Sequence, residues 1–219
     1  MRILLTGANG YVGKRLLPEL LNNGHDVVCC VRNKNRLGLD AATLAKITIW
    51  ELDFLEEPIL KNLPEKFDVA FYLIHSMTSS TDKFDELETK AATNFNSYLN
   101  EIGVKQVVYL SGIVNQDSLS KHLQSRLNVE EILYKGDFKT TVLRAAIIVG
   151  SGSSSFEIIR DLCEKLPLMI TPKWVLTKCQ PIAIRDVIQY LIGVMLNDTC
   201  YNDSFDIGGP DIITYKQMM

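Results

Sequence analysis

The stretch Thr6-Gly7-Ala8-Asn9-Gly10-Tyr11-Val12-Gly13 constrains this chain more than any other. Its glycines lie between a short apolar run, Arg2 to Thr6, and a segment of helical period, Val12 to Leu21. They therefore occupy the turn that converts a buried strand into a helix. Gly7 permits the tight turn, Gly10 lets a ligand approach the backbone, and Gly13 lets the helix pack closely on the strand. A helix N-terminus carries unpaired N–H groups and the positive end of the helix dipole, so a pyrophosphate is expected there. Asn9, Tyr11 and Val12 complete the loop that would hold it. The spacing predicts a dinucleotide site rather than an empty glycine turn.

The rest of the chain repeats the same alternation of strand and helix. Predicted strands are Arg2 to Thr6, Asp26 to Val31, Ile47 to Leu52, Asp68 to Leu73, Gln106 to Leu110 and Thr140 to Val149. Most are continuously apolar, as strands become when helices cover both faces of a parallel sheet. One predicted helix carries its stripe on Phe84, Leu87, Ala91, Phe95, Tyr98 and Ile102 and ends at Gly103. A second runs from about Leu119 to Tyr134 on Leu119, Leu123 and Leu127. A third opens at Ser154, where Ser154 and Glu157 have capping-box spacing. Beyond Pro167 the pattern becomes irregular: Trp174, a short strand near Gln180 to Ala183, a helix from Arg185 to Leu196, then Phe205 to Gly209. The fold class predicted is α/β, a Rossmann-type doubly wound parallel sheet with helices on both faces. A single domain is expected, with residues 1–150 as its core and 151–219 as a small substrate-side region. Tyr215 to Met219 reads as a helix opening that is cut short, which suggests a fragment with an attached C-terminal domain.

Composition narrows the partners. With 23 Lys and Arg against 26 Asp and Glu, no overall positive field favours nucleic acid or an anionic membrane, and a small-molecule partner is expected. No apolar run reaches the length of a membrane span, and the first strand leaves no room for a signal peptide, so a cytoplasmic protein is expected. Cys29, Cys30, Cys163, Cys179 and Cys200 are odd in number and lack C-x-x-C spacing. His25, His75 and His122 lack metal-ligand spacing. Neither disulfides nor a metal is expected.

The loop spacing Gly-x-x-Gly-x-x-Gly, preceded by Thr6, resembles that of the extended and atypical short-chain dehydrogenase/reductases. Asp53 after the third strand, Leu110-Ser111-Gly112 after the fifth and Pro181 to Val187 near the end continue the resemblance, which is nearest to NmrA-like and epimerase-like NAD(P)-binding proteins. At the end of the second strand, where an acid commonly holds a ribose 2′-hydroxyl, stands Arg32, with Lys34 and Arg36 close by. Arginine pairs with a 2′-phosphate and stacks on adenine, so NADP is favoured, with NAD the alternative; a solvated loop is the plainer reading. The resemblance implies adenine contacts at Asp53 and Phe54 and ribose contacts at Leu73 and His75. Asp53 also reads as a turn residue, and His75 equally as a packed or solvent-facing histidine.

For carbonyl reduction the resemblance implies a Tyr-x-x-x-Lys pair, the tyrosine protonating the developing alkoxide and the lysine lowering its pKa. The corresponding stretch is His122-Leu123-Gln124-Ser125-Arg126, followed by Glu130, so both residues are replaced. Ser111 and Asn94 match the family's serine and helix asparagine. Ser111, His122, Arg126 and Asn94 are thus the candidate catalytic set, against a plain polar helix edge on which Arg126 pairs with Glu130. Gly150 to Ser155 could bind an anion or simply cap a helix, and Pro172 and Trp174 could line a pocket or belong to the core. Two functions remain open: an NADP(H)-dependent oxidoreductase acting on a small carbonyl, quinone or sugar-nucleotide-like substrate, and a non-catalytic NADP(H)-binding redox sensor. The resemblance also allows a homodimer formed through the Phe84 to Ile102 helix.

Overall fold

The computed structural model describes residues 1–74, 84–114, 121–165 and 173–219. Seven strands form one parallel sheet: β1 (Arg2–Thr6), β2 (Asp26–Val31), β3 (Ile47–Glu51), β4 (Phe67–Tyr72), β5 (Val104–Gly112), β6 (Lys139–Ala145) and β10 (Asp203–Ile207). Their order is β10-β6-β5-β4-β1-β2-β3. The strand order reverses between β1 and β4, the topological switch point at which such sheets bind ligands.

Period-two alternation builds a core on each face. Ile3, Leu5, Val27, Cys29, Val69 and Phe71 face one side with Leu16, Leu17 and Leu20 of α1 (Gly13–Asn22). Val187, Ile188 and Leu191 of α6 (Ile184–Gly193) join the same core. Leu4, Val28, Ala70 and Tyr72 face the other side, against Ala91, Phe95 and Tyr98 of α3 (Phe84–Ile102) and Val129 and Leu133 of α4 (Lys121–Leu133). A sheet covered on both faces is what continuously apolar strands require. Gly103, at φ +78°, ends α3 as its N–H reaches the Leu99 carbonyl.

Four expectations are corrected. The predicted strand Thr140 to Val149 is two pieces: β6 ends at Ala145, the last register partner of β10, with the Ala146 N–H closing the ladder on the Ile207 carbonyl. The chain then leaves the sheet, and β7 (Ile148–Val149) pairs with β9 (Ile182–Ala183). Helix α5 (Ser154–Lys165) is capped by Ser153 rather than Ser154: the Phe156 N–H donates to Ser153 Oγ, and the Gly152 N–H to Glu157 Oε1. On α4 the buried positions are Ser125, Val129, Glu130 and Leu133, whereas Leu123 and Leu127 are half-buried; Leu119 lies outside the described residues. The Phe205 to Gly209 segment, grouped by sequence with the tail, supplies the seventh strand.

The remaining elements are a short helix α2 (Ala41–Leu44) before β3, and an antiparallel ribbon of β8 (Lys178–Cys179) and β11 (Ile213–Thr214) followed by α7 (Tyr215–Met218). Among the described residues no helix is long and apolar enough to cross a membrane.

Candidate dinucleotide and substrate site

Thr6 ties the switch point together. Its hydroxyl donates to the Phe71 carbonyl at 2.8 Å and accepts from the Leu73 N–H at 3.0 Å, so β1 and β4 are held in register where the glycine loop departs. Gly7 sits at φ +64°, and a Cβ there would stand 2.5 Å from the Leu73 carbonyl oxygen. A Cβ on Gly13 would collide with the Gly7 carbonyl oxygen and stand 2.8 Å from Ala8 Cα. Both glycines are demanded by the fold itself. Gly10 is different: its backbone angle suits any residue, and a Cβ would only graze the Gly7 oxygen at 3.1 Å. Its bare Cα faces the cleft, as expected where a pyrophosphate must approach the chain.

Helix α1 starts open. No side chain caps it and no acid lies in its first turn; the Gly10 N–H is spent on the Gly7 carbonyl, and after Tyr11, Val12 and Gly13 the Lys14 N–H is the next to find a carbonyl, that of Gly10. The preceding N–H groups and the positive helix end are left for an anion. Val12 is the N-cap residue, and Tyr11 packs outward under the Arg15 guanidinium at 3.9 Å, next to Gly150 and Gly152.

A cleft of about 190 Å³ opens at the C-terminal ends of β1, β2 and β3. Gly7, Asn9, Gly10, Arg32, Asp53, Phe54 and Leu73 all line it, together with Val31, Asn33, Arg36 and Ile74. Seven of the predicted positions thus converge on one cavity, while Tyr11, Val12 and Gly13 shape the loop beside it. His75 lies outside the described residues. Arg32 and Arg36 are exposed at the cleft wall. Asp53 closes a turn, its carboxylate accepting from the Leu55 N–H at 3.0 Å, and also lines the cleft. The Asn94 amide donates to the Phe54 and Glu56 carbonyls at 2.7 and 2.8 Å. It braces the loop after β3, and Phe54 is fixed further by edge-on contact with Phe95 at 5.4 Å.

A second cavity, about 550 Å³, opens along the same sheet edge at the ends of β5 and β6. Gly112, Ala145 and Ile147 form its floor, Leu123 of α4 one wall, and Thr177 to Gln180 with Ile212 and Tyr215 the other. Sequence reasoning assigned this region to the substrate but missed these particular residues. They come from segments far apart in the chain and carry no spacing that links them.

Ser111, the penultimate residue of β5, is 3% exposed, and its hydroxyl lies beside the Tyr109 phenol. Arg126 does not pair with Glu130. It lies over Gly112, where a Cβ would stand 2.5 Å from a guanidinium nitrogen. Glu130, 3% exposed, instead meets Arg144 of β6 at 2.6 Å. The buried Ser125 hydroxyl donates to Glu88 at 2.6 Å, which turns a polar pair into core. His122 stands in the first turn of α4; its side chain, like that of Trp174, lies outside the described residues, as does Pro172. Burial pushes the Tyr109 phenol up, with the Arg126 charge opposing, so Tyr109 is a core residue. In the loop at Gly150 to Ser155 the Gly152 N–H donates to Glu157 and the Ser153 N–H to the Gly150 carbonyl, and the Glu157 carboxylate placed there disfavours a bound anion.

Burial raises the Cys29 thiol to about 12 and Cys30 higher still, whereas Cys163 is exposed. A thiol reagent at pH 8 is therefore expected to label Cys163 first and to leave Cys29 and Cys30 unmodified until the protein unfolds. Peptide mass spectrometry over a labelling time course checks this; early modification of Cys29 would contradict the packing of β2.

A family model described as NAD(P)H-binding matches residues 7–161, well over half of the chain. The chain belongs to this NAD(P)H-binding family. Curated relatives include the chloroplastic divinyl chlorophyllide a 8-vinyl-reductases of Arabidopsis thaliana, 24% identical over 96% of this chain and 54% of the relative, and of Cucumis sativus, 24% identical over 95% and 52%. The chain spans about half the length of these relatives. Similar solved structures include an epimerase from Methanothermobacter thermautotrophicus (TM-score 0.79, 16% identity, covering 99% of this chain and 74% of that one). Another is the UDP-glucose 4-epimerase of Thermotoga maritima (0.77, 16%, 100% and 80%). These likenesses agree with the fold and the short-chain dehydrogenase/reductase resemblance read from the sequence.

Proposed function

We propose that the protein is an NADP(H)-dependent reductase whose acceptor lies in the cavity at the ends of β5 and β6. The observation that carries this reading is the pairing of two cavities along one sheet edge: an adenosine-side cleft at β1 to β3, and a second cavity beyond the switch point, where a dinucleotide laid across α1 would present its far end. Bound there, NADPH supplies the hydride. The chain's own residues would cradle the pyrophosphate at Gly7 to Gly13, and the buried Ser111 immediately precedes Gly112 of the cavity lining.

The acceptor class follows from what α4 lacks. Reduction of an isolated carbonyl concentrates charge on one oxygen and needs a strong positioned acid, the task of the missing Tyr-Lys pair. A quinone or a conjugated carbon–carbon double bond spreads that charge over its π system and depends less on such an acid. The named activity of the curated relatives, reduction of a vinyl group, is of this kind. Arg126, held over Gly112, would stabilise negative charge beside the cavity.

NADP rather than NAD is proposed because Arg32 and Arg36 line the cleft and the residue after β2 is not an acid. NADPH is expected to bind about tenfold or more tighter than NADH, and Arg32→Ala/Arg36→Ala to erase the difference by weakening NADPH alone, a loss of about 1.4 kcal/mol per tenfold. Fluorescence titration measures both; equal affinities in the wild type would overturn the assignment. A stopped-flow screen of bound NADPH against quinones and enones then tests chemistry. The loss of Tyr and Lys from α4 favours one other reading, a redox sensor, and NADPH that binds but is oxidised by no acceptor would support it.

A further inference from the structure

A reductase of this kind still has to deliver a proton, and α4 offers no phenol for it. The chain has eight tyrosines, all among the described residues, and their places in the fold separate them. Tyr72, Tyr98 and Tyr109 are core residues, each no more than 2% exposed. Tyr11 is covered by Arg15. Tyr134 and Tyr201 precede β6 and β10 and so lie at the opposite edge of the sheet, and Tyr190 is exposed on α6. Tyr215 lines the second cavity together with Leu123, Gly112 and Ala145.

We propose that Tyr215 is the proton donor of this reductase, supplied by the C-terminal ribbon in place of the phenol that α4 lacks. The inference rests on the reading of the second cavity as the acceptor site. The position of Tyr215 is fixed by ordered structure. Ile213 pairs with Cys179 and Thr214 with Lys178 across the β8–β11 ribbon, and the Tyr215 N–H reaches the Thr177 carbonyl at 3.3 Å. A capping box between Thr214 and Gln217 sets the turn on which Tyr215 begins α7. Burial, and then the neighbouring Cys179, push its phenol above the ordinary tyrosine value, so it holds its proton until negative charge on the acceptor, or the cofactor's positive charge, draws it off.

The step balances. Hydride from NADPH forms a C–H bond at the electron-poor carbon of the acceptor, whose π electron pair moves onto the conjugated carbon or oxygen. That atom takes the proton from Tyr215 Oη, the cofactor leaves as NADP⁺, and the half-buried phenolate is reprotonated by water. The acceptor is reduced by two electrons, with one hydride and one proton gained.

The test follows the phenol itself. Ultraviolet difference titration of wild type against Tyr215→Phe isolates the ionisation of Tyr215. With the cationic nicotinamide of NADP⁺ alongside, the midpoint is expected to fall, and with neutral NADPH it is not. Tyr215→Phe is also expected to bind NADPH within about twofold of wild type while losing about a hundredfold in the oxidation of bound NADPH by 2-cyclohexen-1-one, or by whichever quinone or enone probe the wild type reduces. A midpoint indifferent to bound NADP⁺ overturns the assignment and leaves the cofactor site standing, as does turnover within twofold of wild type. Absence of NADP(H) binding overturns both readings together.

Discussion

Gly13→Val is expected to abolish NADPH binding and to lower the melting temperature by about 6 to 12 °C, the shift that roughly 3 kcal/mol produces in a domain of this size. The cause is backbone against backbone. A Cβ at this position would collide with the Gly7 carbonyl and crowd Ala8, neither of which is a flexible side-chain end that could swing aside. The first turn of α1 would have to lift off β1, taking with it the unpaired N–H groups that face the anion. Gly10→Ala is the control. Its backbone angle tolerates alanine, so the melting temperature should barely move, yet the methyl group projects into the cleft where the pyrophosphate must come close. Differential scanning calorimetry and fluorescence titration on the two variants thus separate what the loop needs to fold from what it needs to bind. Saturable NADPH binding by Gly13→Val would remove the glycine loop from the site.

The same contrast explains how much was legible in the sequence. The loop is contiguous, and its meaning depends on a strand immediately before it and a helix immediately after it, so spacing alone was enough to place Gly7, Asn9, Gly10 and Arg32 on one cleft. Strands β1 and β2 were read correctly to the residue, because a strand covered on both faces is an unbroken apolar run. Helix α4 was misread for the opposite reason. Its buried side includes Ser125 and Glu130, which periodicity counts as solvent-facing, and they are tolerable in the core only because Glu88 and Arg144 meet them from other elements. Arg126 was free to leave the expected i,i+4 pair because Gly112, lacking a Cβ, leaves room for its guanidinium. The second cavity was invisible because it is made by contact: β5, β6, α4 and the β8–β11 ribbon each contribute a few residues, and Tyr215 in isolation is only a tyrosine at the start of a short helix.

Arg144→Met is expected to cost about 3 kcal/mol of stability at neutral pH, close to the effect of Gly13→Val but by electrostatics instead of packing. Glu130 is 3% exposed, and Arg144 satisfies it through Nη2 at 2.6 Å and Nε at 3.2 Å to both oxygens. Removing the guanidinium leaves a buried carboxylate without its counter-charge, which costs more than the intact pair was ever worth. Glu130→Leu/Arg144→Met should recover most of the loss, since an apolar pair of similar volume has no charge to desolvate. Urea denaturation of the two variants and wild type measures this, and a single variant as stable as wild type would show the pair to be dispensable. Arg144 is also the register partner of Ser111 across β5 and β6, so the pair braces the strand ends beneath the second cavity, well away from the β1–β3 cleft. NADPH affinity should therefore survive Arg144→Met at temperatures where the variant is folded, while acceptor turnover falls, which assigns the brace to the substrate side of the molecule.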